Sequence, residues 1–229
     1  MLHYAWFISC VALLAVWAVV YWSSRMRREM LIASLLTMPF GLTEPLFVPE
    51  YWNPPSLFDL AQTTQFDIES LLFSFAVGGL GLVLYDLILR TRPAPVSQYE
   101  RSKPRHRFHK LAVISPFLAF SLLALATDWG FIYIGSLAML IGGVATIACR
   151  PDLAGRTLLG GLLFLGMYCG FFQLVNLAFP SFVKTAWNLE ALSGLMVTGI
   201  PAEELLFAFT FGLMWAGFYH HITWHRTVH

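Results

Sequence analysis

Seven stretches of this chain are apolar for long enough to cross a bilayer: residues 4–22, 30–47, 68–89, 111–127, 131–149, 157–179 and 195–222. About 18 to 25 helical residues cover a hydrocarbon core of roughly 30 Å. In lipid every backbone N–H and C=O must find its partner within the chain, and for single runs of this length that means helices. Composition agrees, with 58% hydrophobic and 12% charged residues, where a soluble domain carries about one quarter charged. The expected fold class is all-α, a polytopic membrane protein of about seven transmembrane helices.

The basic residues set the expected topology. Arg25, Arg27 and Arg28 follow the first run; Arg90, Arg92, Arg101, Lys103, Arg105, Arg107 and Lys110 follow the third; Arg150 and Arg156 follow the fifth and Arg226 the seventh, leaving Lys184 alone on the other face. The positive-inside rule makes the crowded face cytoplasmic, with the N-terminus extracytoplasmic and the C-terminus inside a multi-pass cell-membrane protein. The first run lacks a basic leader and a small-residue cleavage site, so it is expected to be retained. Residues 91–110 form a basic, proline-containing cytoplasmic linker, expected to be a solvated loop that serves only topology, with attraction of its basic residues to anionic lipid headgroups as the other reading.

Several features are expected to be structural. Cys10, Cys149 and Cys169 form no CxxC pair and are read as buried apolar residues, with no disulfide framework and no metal cluster. Gly78, Gly79 and Gly81 do not follow a strand as a dinucleotide fingerprint would. They are expected to let helices approach closely, as is the Gly166-Met167-Tyr168-Cys169-Gly170 pattern. His220, His221 and His225 have no further ligand in sequence and are expected at a surface or interface. Neither a cofactor nor a nucleic-acid partner is expected.

The chemistry concentrates at Pro201-Ala202-Glu203-Glu204-Leu205-Leu206-Phe207, two adjacent carboxylates opening an apolar helix. Proline suits a helix's first turn, so Pro201 is expected to start it. Helix dipole and apolar surroundings then oppose each other at Glu203 and Glu204, the setting in which a carboxyl can give and take protons. A second acidic stretch, Glu44-Pro45-Leu46-Phe47-Val48-Pro49-Glu50-Tyr51-Trp52-Asn53, closes the second run. A carboxylate costs about 2.5–3.5 kcal/mol at mid-bilayer, which places Glu44 near the outer interface or inside the bundle.

The sequence also repeats. A shift of 135 places Pro45, Phe47, Val48, Trp52 and Asn53 on Pro180, Phe182, Val183, Trp187 and Asn188. A shift of 134 places Glu69, Phe73, Phe75, Gly78 and Tyr85 on Glu203, Phe207, Phe209, Gly212 and Tyr219. The expected organisation is a first repeat of three spans at residues 1–90, the linker at 91–110, a connecting span at 111–128 and a second repeat of three spans at 129–229. An even displacement of four spans makes the repeats parallel. Glu44, Glu50, Glu69, Glu203 and Glu204 can then meet on one side, accompanied by Trp52, Trp187, Phe73, Phe75, Phe207 and Phe209. Aromatic faces stabilise a cation while carboxyls move protons, which suits an oily substrate that passes through a cation.

At these residues the chain resembles the membrane-integral lycopene cyclase family, in the fused form with both halves on one chain. The resemblance rests on Pro201-Ala202-Glu203-Glu204-Leu205-Leu206-Phe207, which is similar to the family's Pro-x-Glu-Glu-x-x-Phe motif, and on Glu44 to Trp52. The first half departs from the pattern, with Asp67 in the proline position and Ser70 in that of the second glutamate. The resemblance implies an isomerase (intramolecular lyase) of carotenoid biosynthesis that closes the acyclic ends of lycopene to β-rings with no net redox change and no cofactor. It implies acid and base roles for Glu203 and Glu204, a counterpart in Glu69, supporting carboxyls in Glu44 and Glu50, and a linear carotenoid, membrane lipid and other carotenoid-biosynthesis enzymes as partners. Two other readings stand beside it. One is a non-catalytic carotenoid- or isoprenoid-binding membrane protein, favoured by Asp67 and Ser70. The other is an intramembrane protease with a Glu-Glu-x-x-x-Arg motif, against which stands Ala208 in the arginine position.

Overall fold

The computed structural model describes residues 2–228. Among them the helices are α1 (Ala5–Ser23), α2 (Arg27–Thr37), α3 (Leu60–Thr64), α4 (Ile68–Leu89), α5 (Gln98–Arg101), α6 (His109–Ala126), α7 (Phe131–Cys149), α8 (Ala154–Ala178), α9 (Phe182–Ala186) and α10 (Ala202–Thr223). Two antiparallel strand pairs complete them: β1 (Arg92–Pro95) with β4 (His225–Val228), and β2 (Met196–Val197) with β3 (Ile200–Pro201). Six helical stretches are long and apolar enough to cross a membrane: Leu2–Ser23, Ile68–Leu89, Pro104–Ala126, Phe131–Cys149, Pro151–Ala178 and Ala202–Ile222. The chain is an all-α polytopic membrane protein.

The second expected span is not one of these six. It forms α2 and then a 3-10 helix, Met38–Leu46, with Pro39 in its first turn and Pro45 inside. Each proline removes a backbone donor and crowds the preceding turn, which weakens an α-helix, and here the run leaves α geometry at Met38. Gly41 belongs to the same departure, since a Cβ there would stand 2.7 Å from the backbone of Ser70 and Leu71. The 3-10 segment lies directly on the start of α4.

The seventh expected span loses its first residues to a hairpin. Thr198 (φ 51°) and Gly199 (φ 81°) turn the chain between β2 and β3, the positive-φ pair of a two-residue connection. The Gln173 amide donates to Thr198 O at 2.9 Å, and that of Asn176 to Gly199 O at 3.1 Å. Helix α10 then begins at Ala202, one residue after Pro201.

By compactness the described residues form two units, and each draws on both halves of the sequence. The first comprises Met1–Leu80, Gly130–Ile132 and Met167–Leu205. Its core includes Trp6, Cys10, Met30, Phe182 and Ile200. Trp17 Nε1 donates to Ser34 Oγ at 2.9 Å. Gly78 and Gly79 serve close approach as expected, for a Cβ on either would collide with Thr37 or with Ser34 and Trp17.

The second unit comprises Gly81–Trp129, Tyr133–Gly166 and Leu206–His229. Its centre is an ion pair: Arg156 donates to both oxygens of Asp86, at 2.8 and 2.5 Å, and to the carbonyls of Ala216 (2.6 Å) and Leu82 (3.3 Å). The Thr91 hydroxyl donates to the same carboxylate at 2.6 Å. Residues expected as a solvated linker instead fold back, with β1 paired along β4 and Val96 N–H donating to Trp224 O at 2.8 Å. His220 and His221, expected at a surface or interface, are fully buried.

Small residues at the helix contact also differ from expectation. A Cβ at Gly160 would meet Ala216 Cβ at 2.3 Å, and one at Gly212 would meet Phe164 Cβ at 2.5 Å. Gly166 and Gly170, the GxxxG pair, would meet nothing within 4 Å. Close packing of α8 therefore falls at Gly160 and Phe164, N-terminal to the motif.

Candidate active site

Glu204 occupies the first turn of α10, is 5% exposed, and belongs to the first unit. Its Oε1 accepts from the Tyr51 hydroxyl and, at 2.9 Å, from Trp187 Nε1. Its Oε2 accepts from the Tyr168 hydroxyl. All three donors are buried. A carboxylate offers only acceptors, and here both oxygens are matched by side-chain donors from three separate segments. Burial and the neighbouring Glu204 charge push the Tyr51 phenol well above its usual value, so it remains a donor at neutral pH.

Glu203, next in the chain, does something different. Its Oε1 accepts the Ser193 backbone N–H at 2.8 Å, fastening the loop that leads into α10. Glu69 in the first turn of α4 does the same for Leu57 N–H, also at 2.8 Å. Glu44 accepts Asp67 N–H at 2.8 Å, while the Asp67 carboxylate accepts Ser70 N–H at 2.5 Å. Asp67 therefore caps α4 through its side chain, which is what a residue before the first helical turn can do when proline is absent. Burial lifts the Asp67 carboxyl to about 6; the Ser70 N–H opposes this and the Glu69 charge adds to it. Glu50 is exposed, and only its backbone carbonyl is engaged, by Asn188 Nδ2 at 3.2 Å.

The loops carrying these groups pair with each other. Asn53 N–H donates to Ala186 O at 2.6 Å and Asn188 N–H to Tyr51 O at 3.0 Å, so Trp52 and Trp187 face each other as an antiparallel bridge. Their rings lie 5.3 Å apart. Trp6 meets Trp52 edge-on at 5.1 Å and Phe73 at 5.3 Å; Phe172 meets Trp187 at 5.6 Å and Tyr168 at 5.0 Å. Phe182 lies 5.9 Å from Trp187. Glu204 is thus held by members of a continuous aromatic cluster.

Of the aromatics expected around the carboxylates, Trp52, Trp187 and Phe73 join this cluster. Phe75 instead packs on Trp17 at 4.9 Å. Phe207 and Phe209 fall in the second unit, Phe207 stacked on Phe211 at 5.9 Å and Phe209 beside Gly161. A helix turns its side chains 100° per residue, so alternate phenylalanines after the glutamates face different neighbours. Tyr51, Tyr168, Trp6, Phe172 and Phe182 escaped the sequence reading. Tyr51 could have been found as the polar aromatic beside Glu50; Tyr168 sits inside the GxxxG pattern and gave no separate signal.

Compared with known proteins, residues 130–222 match the model of the lycopene cyclase family. The matched stretch runs through α7, α8, α9 and α10 and includes Tyr168, Trp187, Glu203 and Glu204. The match supports a lycopene cyclase family domain over that stretch. No curated protein and no solved structure matches the chain.

Proposed function

We propose, from the lycopene cyclase family domain at residues 130–222, that the protein closes the acyclic end of lycopene, or of a closely related linear carotenoid, to a ring by acid-base chemistry centred on Glu204. The observation that carries this reading is the set of three donors, Tyr51, Tyr168 and Trp187, around one buried carboxyl inside an aromatic cluster. Protonated Glu204 delivers its proton to the terminal double bond. The internal double bond attacks the resulting tertiary cation, forming the ring C–C bond. A proton on the adjacent ring carbon then leaves to restore an alkene, so the product is an isomer of the substrate.

One carboxyl can serve both transfers. Once the proton has gone, three aligned donors stabilise the carboxylate where charge develops, and the anion in turn pairs with the substrate cation. Trp52 and Phe73, both partly exposed, present ring faces on which a carbocation is stabilised. Glu69 and Glu203 act as positioning residues, holding the loops that carry the aromatics. Glu44 supports the cap of α4, and Glu50 takes no part. Membrane embedding delivers a substrate that is itself soluble in the bilayer.

The reading extends to organisation. The chain is a duplicated unit, supported by the pairing of Trp52 with Trp187 in the register of the 135-residue shift. The face bearing the basic linker and the C-terminus is cytoplasmic, and the N-terminus lies on the opposite face. Expression in a bacterium that accumulates lycopene, beside a Glu204→Gln variant verified in the membrane, tests the activity. Cyclic carotenes from the wild type alone support the proposal; unchanged lycopene and unchanged related linear carotenoids from an inserted wild type refute it.

A further inference from the structure

Within the second unit, three residues from three helix ends converge. His109 opens α6, Cys149 closes α7 and His221 lies in the last turn of α10. Their ligand atoms all lie within 4.8 Å of one another. Cys149 and His221 are buried, at 6% and 0% exposure. The geometry points to a metal-ion site for a single thiolate- and imidazole-preferring cation of the zinc class, held by His109, Cys149 and His221.

The distances fit. Zinc–sulfur bonds of about 2.3 Å and zinc–nitrogen bonds of about 2.0–2.1 Å at tetrahedral angles set sulfur and nitrogen ligands about 3.6 Å apart. His109 Nδ1 stands 3.8 Å from Cys149 Sγ. The hydrogen bonds around the cluster also point its lone pairs inward. His221 Nδ1 lies 3.1 Å from the Thr146 hydroxyl, while its Nε2 is buried with no hydrogen-bond partner. Donation from Nδ1–H to Thr146 leaves that Nε2 as a bare acceptor in the site, the arrangement by which an outer partner fixes a ligating histidine.

A fourth group supports the thiolate. Arg105 Nε donates to His106 Nε2 at 3.3 Å, which leaves His106 Nδ1 protonated and directed at Cys149 Sγ, 3.7 Å away. The nearby cations do not oppose a metal: Arg150 is paired with Asp152 at 2.8 and 2.6 Å, and Arg105 with Glu100. Soft sulfur with nitrogen selects zinc-class ions over calcium or magnesium. Bound there, the ion clips α6, α7 and α10 together where β1 and β4 pair.

Purified full-length protein, stripped with chelator and titrated with Co²⁺ and then Zn²⁺, tests the site. One equivalent of Co²⁺ is expected to give the thiolate-to-cobalt charge-transfer band and intense visible bands of a four-coordinate complex, abolished by Zn²⁺ and by Cys149→Ser. A His3→Asn variant, altered at an exposed histidine of the first unit, is expected to keep the spectrum. Zn²⁺ should also raise the unfolding temperature of the stripped wild type. Only the pale spectrum of hydrated Co²⁺ with the folded wild type, or unchanged bands in Cys149→Ser, overturns the assignment.

Discussion

Glu69 and Glu203 make the same hydrogen bond 134 positions apart: each carboxylate, in the first turn of its helix, accepts at 2.8 Å a backbone N–H from the loop before it, Leu57 for one and Ser193 for the other. Each is 3% exposed or less. Truncation to alanine removes the acceptor of a loop amide that water can reach in part, at a cost of about 1 kcal/mol. Glu69→Ala and Glu203→Ala are expected to lower the unfolding temperature in detergent. Gln at either position keeps an acceptor and should recover most of that loss while retaining measurable cyclisation.

Glu204 behaves otherwise, because its neighbours are side-chain donors rather than a loop amide. Glu204→Gln is expected to fold and insert yet lose at least about 100-fold in cyclisation, the lower range for a group that moves the proton. Tyr168→Phe and Tyr51→Phe remove one donor each and should reduce turnover by about 10- to 100-fold, since each leaves two others in place. Product formation in membranes carrying equal amounts of each variant is the measurement. Full activity of Glu204→Gln would remove this residue from the chemistry.

Asp67 gives a pH dependence whose sign is fixed by burial. Its carboxyl is lifted to about 6, above the ordinary value of about 3.9 for an unfolded aspartate. Between those values the folded protein binds more protons than the unfolded chain, so stability falls as pH rises through about 4 to 6. Asp67→Asn keeps an oxygen that can cap α4 and removes the titration. Unfolding temperatures of wild type and Asp67→Asn should converge at the acid end of that window, with the wild type declining more steeply through it; Glu44, lifted to about 8 chiefly by burial, adds a decline toward neutrality that both share.

The spans themselves were the most legible part of the sequence, for long apolar runs admit few alternatives. Residues 68–89 and 131–149 form helices with the expected bounds. The exceptions are local and chemical. Pro39 and Pro45 broke the second span, and the Thr198-Gly199 turn shortened the last, signals present in the sequence but weaker than the hydropathy around them. The glutamates were visible as a motif, whereas their division of labour was not, because it depends on partners from distant segments. Tyr168 lies 36 residues from Glu204 and shows no spacing that would tie the two. His109, Cys149 and His221 likewise converge only after three helices have packed.

The Asp86–Arg156 pair should be the most damaging place to cut the second unit. Both residues are buried, at 7% and 2% exposure, and the guanidinium also serves two backbone carbonyls. Removing one partner strands the other charge, at about 3–5 kcal/mol. Asp86→Asn and Arg156→Met are each expected to reduce the yield of folded protein sharply, and Arg156→Lys to rescue poorly, since an ammonium cannot reproduce the two-pronged contact. The double variant should recover part of the loss, read as monodisperse protein after solubilisation.

The exchange of hydrogen bonds around Trp52 and Trp187 ties the length of one loop to that of the other. A single inserted or deleted residue in either would advance the pairing by one step and turn alternate side chains to the opposite face. Trp187 would then swing its indole away from Glu204, and Tyr51, one place before Trp52, would lose its reach to the same carboxylate. The two halves are therefore free to diverge in composition but not independently in spacing: a change of length in one survives only with a compensating change in the other.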